Sequence, residues 1–115
     1  MMEISKKLQI PPDESIYLVN TPKEMKMNLP ESRKETERAV LVFANDSKTL
    51  LRDCKVAVEA AKADRLSWIA YPKAGQLGTD MNRDELLRLM KPYGIQGVRL
   101  LSIDNVWSGH EIQTK

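Results

Sequence analysis

Cysteine and histidine are almost absent: the 115 residues include one of each, Cys54 and His110. A lone cysteine excludes an intrachain disulfide, and with it the secreted scaffolds that depend on such staples. One Cys and one His cannot complete a tetrahedral zinc site within one chain. Aromatic residues make up only 5%, too few for a platform on which successive bases stack. Charge of one sign is also lacking, with 18 Lys+Arg against 16 Asp+Glu and a net charge of +2. An electrostatic nucleic-acid binder carries a larger or more clustered surplus. The longest apolar run, Ala39 to Ala44, falls well short of the ~18 residues that cross a bilayer. The first residues show no apolar core followed by a small-residue cleavage site. These absences set the expectation of a cytoplasmic protein with no membrane or nucleic-acid partner.

What remains is a globular composition, 42% hydrophobic and 30% charged, of a length suited to one domain. Residues 1–14 are polar and end in Pro11-Pro12-Asp13-Glu14, a turn, so the domain is expected to span 15–115. Ser15 to Asn20 is short, β-branched and aromatic, and predicts a first strand. Thr21, Pro22 and Glu24 predict the start of a short helix that Pro30 stops. Residues 31–38 are almost all charged and read as a solvated loop. Ala39 to Ala44 fits a strand buried on both faces, as in a parallel sheet.

Asn45-Asp46-Ser47 is helix-capping chemistry. Leu50, Leu51, Cys54, Ala57, Val58 and Ala61 follow at helical spacing on one face. Leu66 to Tyr71 predicts a third strand, and residues 73–81 a glycine-containing loop. Asn82 with Glu85 predicts the start of a last helix. Leu86, Leu87, Met90 and Tyr93 face the sheet, and Gly94 ends the helix. Val98 to Ile103 and Val106 to Ile112 flank Asp104-Asn105, the pattern of a tight hairpin. The expectation is a three-layer α/β domain with a mostly parallel five-stranded sheet, its last strand antiparallel.

In such sheets ligands bind beyond the carboxyl ends of the strands. The residues expected there are Asn20 and Thr21, then Asn45, Asp46 and Ser47, then Tyr71, Lys73, Thr79, Asp80, Asn82 and Arg83. Lys73 and Arg83 would contact an anion, Asn82 would present a helix start, and Asp80 would order the loop. The same caps also belong at helix starts whatever the function. Lys73 to Gly78 lacks the order of a phosphate-binding Walker loop and reads as a surface loop. Ser108 and His110, two apart on one strand, point to one side, but no nucleophile elbow precedes them. Cys54 reads as a buried small hydrophobe. Trp68 and Trp107 read as core anchors, brought close if their strands are neighbours. Asp46, Asp80 and Asp104 lie in three separate loops, where single acids serve as turn formers, although they offer carboxylates for Mg²⁺.

Three segments carry a resemblance: Lys7 to Pro22; Trp68-Ile69-Ala70-Tyr71-Pro72-Lys73 with Thr79-Asp80; and Asp104-Asn105-Val106-Trp107-Ser108-Gly109. In this order they resemble a bacterial family of small α/β proteins known as a domain of unknown function. The W-x-x-[WY]-P-K and D-x-x-W-S-G signatures are specific together and weak singly. More distantly, Ala39–Lys73 and the closing hairpin resemble the later half of an S-adenosylmethionine-dependent methyltransferase fold. That likeness implies a strand order of 1-2-3-5-4. The cofactor-binding enzymes have a glycine-rich turn after their first strand, whereas here Asn20-Thr21-Pro22-Lys23 contains no glycine. The expectation is therefore a module without a cofactor or catalytic residues, binding a small anionic ligand or a protein through Lys73, Asp80, Asn82 and Arg83. An enzyme on a reduced methyltransferase-like scaffold is the alternative.

Overall fold

The most apolar stretch of the chain forms the middle of a mixed sheet. In the computed structural model, which describes residues 4–11, 14–23, 25 and 30–115, all five residues of Ala39–Phe43 are buried. This strand, β3, has parallel neighbours on both sides: β1 (Ile16–Val19) and β4 (Leu66–Pro72). Beyond β1 lies β2 (Glu31–Ser32), also parallel. Beyond β4 lies β6 (Trp107–Thr114), antiparallel to both β4 and the edge strand β5 (Ile95–Ser102). The order is β2-β1-β3-β4-β6-β5.

The sheet thus has six strands, not five, and the 1-2-3-5-4 order gains a strand outside its first member. That extra strand lies at the start of the stretch expected to be a solvated loop. Its two residues have no apolar pattern to reveal them, and the backbone pairs through Ile16 N–H donating to Pro30 O at 3.0 Å.

One face of the sheet carries the regular helices. Asp46 caps α2 (Ser47–Asp53), accepting from Thr49 N at 2.8 Å. Cys54 separates α2 from α3 (Lys55–Lys62), so the expected single helix is two short ones in line. Leu50, Cys54, Ala57, Val58 and Ala61 are buried against Val40, Val42 and Ile69, whereas Leu51 is 47% exposed. The last helix, α4 (Arg83–Met90), is capped by Asn82, which accepts from Glu85 N at 2.8 Å. Leu86 and Met90 are fully buried, Leu87 is half-buried, and Tyr93 is 40% exposed and does not face the sheet as expected. A 3₁₀ turn (Lys91–Tyr93) follows, closed by Gly94 at φ 73°, a left-handed position that suits glycine.

Among the described residues, no regular helix covers the other face. Its core is Leu41, Phe43, Trp68, Ala70 and Trp107, covered by Leu8, Ile10, Ile103 and, less deeply, Met25 and Val106. Leu8 and Ile10 follow the one-turn helix α1 (Ile4–Lys7) in the stretch read as polar, and are 0% and 3% exposed. The Trp68 indole N–H donates to Leu8 O at 3.1 Å, which pins this segment down. Trp107 meets Phe43 edge-on at 5.3 Å; Trp107 lies opposite Pro72 in register and Trp68 opposite Glu111, so the two indoles are not register partners. The helix expected after Thr21 involves Glu24 and residues 26–29, which lie outside the described residues.

Candidate functional site

Four parallel strands end at one edge of the sheet, and the expected site lies there. Connections leave β1 and β3 in opposite directions, so the gap between them is the switch point where such folds receive ligands. Here the chain bridges that gap itself. Asn20, at φ 60°, donates from Nδ2 to Phe43 O at 3.3 Å and to Asp53 Oδ2 at 2.8 Å. A short amide side chain is one of the few that tolerate this backbone conformation. The Arg52 guanidinium and then the Asn20 amide hold the Asp53 carboxyl below its usual range.

The next loop is similarly engaged. Asp80 accepts from Ser47 N at 2.8 Å and from Ser47 Oγ at 2.5 Å. It thereby ties the loop before α4 to the start of α2. Those bonds hold the Asp80 carboxyl low, and the bond from Thr49 does the same for Asp46. Thr79 Oγ1 accepts from Met81 N at 2.9 Å.

Each of the four residues expected to bind a ligand has a different partner. Asp80 orders the loop through Ser47, and Asn82 closes its own helix through Glu85. Arg83 is exposed, its Nε 3.5 Å from Asp84 Oδ1. Lys73 extends from the end of β4 to the hairpin, where Nζ donates to Ser102 Oγ at 2.7 Å. Its backbone N–H donates to Val106 O at 2.7 Å. Asp46, Asp80 and Asp104 serve separate turns, and among the described residues no group of three or more His, Cys, Asp or Glu is placed to hold a metal ion.

A cleft at this end lies on the face opposite α2, α3 and α4. Pro22, Met25, Leu77, Asp104, Val106 and Trp107 line a cleft of about 230 Å³. Leu77 is 60% exposed at φ 53°, in a loop turned by Gly75 and Gly78, both also at positive φ. Asp104 shapes the opposite wall: its Oδ1 accepts from Val106 N at 2.8 Å and Trp107 N at 2.7 Å. These bonds engage the one charged group among the described residues of the lining. The walls are therefore mostly apolar. Sequence reasoning missed Leu77 by reading its loop only as basic and glycine-containing. A single large apolar residue between two glycines was the available signal.

A second polar group lies under α4. His110 is 4% exposed, and its Nδ1 is buried without a hydrogen-bond partner among the described residues. Burial, and then the nearby Arg83 charge, push the imidazole below its ordinary value. Burial raises the Tyr71 phenol to about 12. Ser108 lies opposite Tyr71 in register, on the side of β6 that His110 shares. A general base needs an orienting acceptor, and among the described residues Nδ1 has none. Cys54 is buried and its thiol pushed up by that burial, the opposite of what an activated nucleophile requires.

A scan against protein-family models and a search of curated proteins find no match to this chain.

Proposed function

We propose that the protein is a non-catalytic binding module that holds a protein partner by an apolar side chain, in the cleft at the carboxyl ends of the parallel strands. The observation that carries this reading is the cleft lining, in which, among the described residues, Pro22, Met25, Leu77, Val106 and Trp107 surround one acid already bonded to the backbone. A cleft of this kind excludes water from an inserted apolar group, and anchors of that type supply most of the affinity of a protein interface.

The anionic-ligand reading has less support. Its oxygens would seek backbone N–H groups at the helix starts, and the side chains of Asp46, Asp80 and Asn82 already accept from those at Thr49, Ser47 and Glu85. The enzyme reading needs a nucleoside against the turn after β1, where no glycine permits close approach and Pro22 and Met25 line the cleft. The likeness to the small bacterial α/β family and to a reduced methyltransferase-like scaffold fits this proposal as a shared architecture without the cofactor site. We place the activity in the cytoplasm, where a single buried thiol stays reduced without cost.

Amide NMR tests the reading with three probes: N-acetyl-leucine amide, S-adenosylmethionine and inorganic phosphate. The expected result is shifts at Leu77, Val106 and Trp107 with the leucine probe alone, lost in Val106→Asp. Shifts at residues 20–22, 45–47 and 73–83 with either of the other probes, and none with the leucine probe, would replace this reading with the enzyme or the anion site.

A further inference from the structure

The two edges of the sheet are finished differently. The β2 edge is two residues long, follows Pro30, and runs into Arg33, Lys34 and Glu35. A short strand, a proline and charges are the usual means of preventing edge-to-edge pairing. The β5 edge lacks the first two. It is eight residues long and contains neither proline nor lysine. Among the described residues, no strand pairs with its outer side.

Its one charged residue is turned away from that edge. Arg99 donates from Nε to Glu111 Oε1 at 2.9 Å, on the strand's inner neighbour, and its guanidinium stands 5.8 Å from the Trp68 ring centroid. The exposed residues of β5 are Gln96, Val98, Leu100 and Ser102, all uncharged, with Val98 and Leu100 each 47% exposed. A register shift between Gly97 and Arg99 bends the first half of the strand. From Arg99 to Ser102 the pairing with β6 is regular, so the second half is straight enough to take another strand.

We propose that β5 is the interface between two copies of this chain, paired antiparallel across a two-fold axis so that one sheet runs through both. The second copy is the occupant because it brings an identical edge, free of proline and lysine and with its one charge bonded to the inner strand, and a two-fold pairing closes both edges at once. An axis at Leu100 sets Leu100 against the partner subunit's Leu100 and Arg99 against the partner subunit's Leu101. No like charges then face one another, and the half-exposed leucines bury each other. This interface is separate from the cleft at Leu77 and Trp107 and does not depend on the function assigned there.

Sedimentation velocity and light scattering on the full chain, from roughly 1 to 100 µM, read the outcome directly. The expected mass is twice 13.1 kDa at the upper end of that range. Leu100→Lys and Val98→Lys should each return the monomer mass, and Leu51→Lys, at an exposed leucine on another surface, should leave the dimer intact. A wild-type mass of 13.1 kDa throughout, or a dimer that survives both β5 substitutions, overturns the proposal. If the variants do not fold, hydrogen exchange on the wild-type chain decides. Protection at 98–102 that rises with protein concentration supports the interface, and protection independent of concentration overturns it.

Discussion

Gly97 and His110 are fitted to each other. A Cβ on Gly97 would overlap the His110 imidazole at Nε2 and stand 2.8 Å from Leu87 Cδ2. The glycine is required by this close approach, since its backbone is not in a left-handed conformation. The contact joins β5, β6 and α4 at the point where β5 bulges. Gly97→Ala should therefore destabilise the fold by ~1–3 kcal/mol, the usual cost of overpacking. Urea denaturation with an unchanged m-value measures it. His110→Ala in the same chain should recover part of that loss, because the two sites share the space. Additive losses in the double variant would show that the imidazole is not what excludes the methyl group.

His110 also sets the first acid-side limit on stability. Burial and the Arg83 charge lower its value in the folded state below the ordinary 6.5. The unfolded chain then takes up the proton first. Stability is complete above about pH 6.5, falls as the pH drops below it, and levels off beneath the folded value. The Arg83 charge on α4 disfavours the imidazolium. The carboxyls of Asp46, Asp53 and Asp80 act in a separate window. Their lowered values give stability that is present above about 3.8 and lost as the pH falls through their folded values. Urea midpoints measured from pH 7.5 down to 5 should decline in the wild-type chain and stay flat in His110→Phe. A wild-type midpoint that is also flat would mean that the imidazole is not held neutral.

Much of the architecture was visible because it is local. The run at Ala39–Ala44, the caps at Asp46 and Asn82, the stop at Gly94 and the Asp104-Asn105 turn each act within a few residues. What escaped depends on distant partners. Glu31–Ser32 is a strand only because β1 offers its edge, and nothing in Glu-Ser signals one. Leu8 and Ile10 sit among polar residues, and only the bare face of the sheet explains why they are buried. Leu51 and Tyr93 fit a helical stripe yet are exposed, Tyr93 because α4 gives way to a 3₁₀ turn before it. The candidate site divides in the same way. Asn82 and Asp46 could be read as caps, whereas the cleft takes residues from three loops far apart in the chain.

The pair Arg99–Glu111 makes a further prediction. The Glu111 side chain is 6% exposed and the Arg99 side chain 41%, so removing the arginine leaves a buried carboxylate with no counter-ion. Arg99→Met should cost about 2–3 kcal/mol, less than a fully buried pair would lose because solvent reaches the guanidinium side. Arg99→Met with Glu111→Met should be more stable than Arg99→Met alone, since the uncompensated charge is then gone. Denaturation of the three chains at pH 7 makes the comparison. A double variant no better than the single one would show that packing on Trp68 is what the arginine supplies.

Leu8 tests whether the chain before β1 belongs to the fold. It is fully buried on the face opposite α2, α3 and α4, and its carbonyl oxygen accepts the Trp68 indole hydrogen bond. If that segment were a loosely held polar tail, Leu8→Ala would change stability by less than ~0.5 kcal/mol, as at an ordinary surface site. Because Leu8 is buried in one cluster with Leu41, Phe43 and Trp68, the expected cost is ~2–5 kcal/mol. The backbone acceptor is unaltered by the substitution, so the loss reports packing and not the hydrogen bond. The emission of Trp68 in the folded variant gives the second readout. A red shift relative to wild type means that water has reached the indole where Leu8 had excluded it, and unchanged emission with a small stability loss would move the boundary of the folded unit back to Ile16.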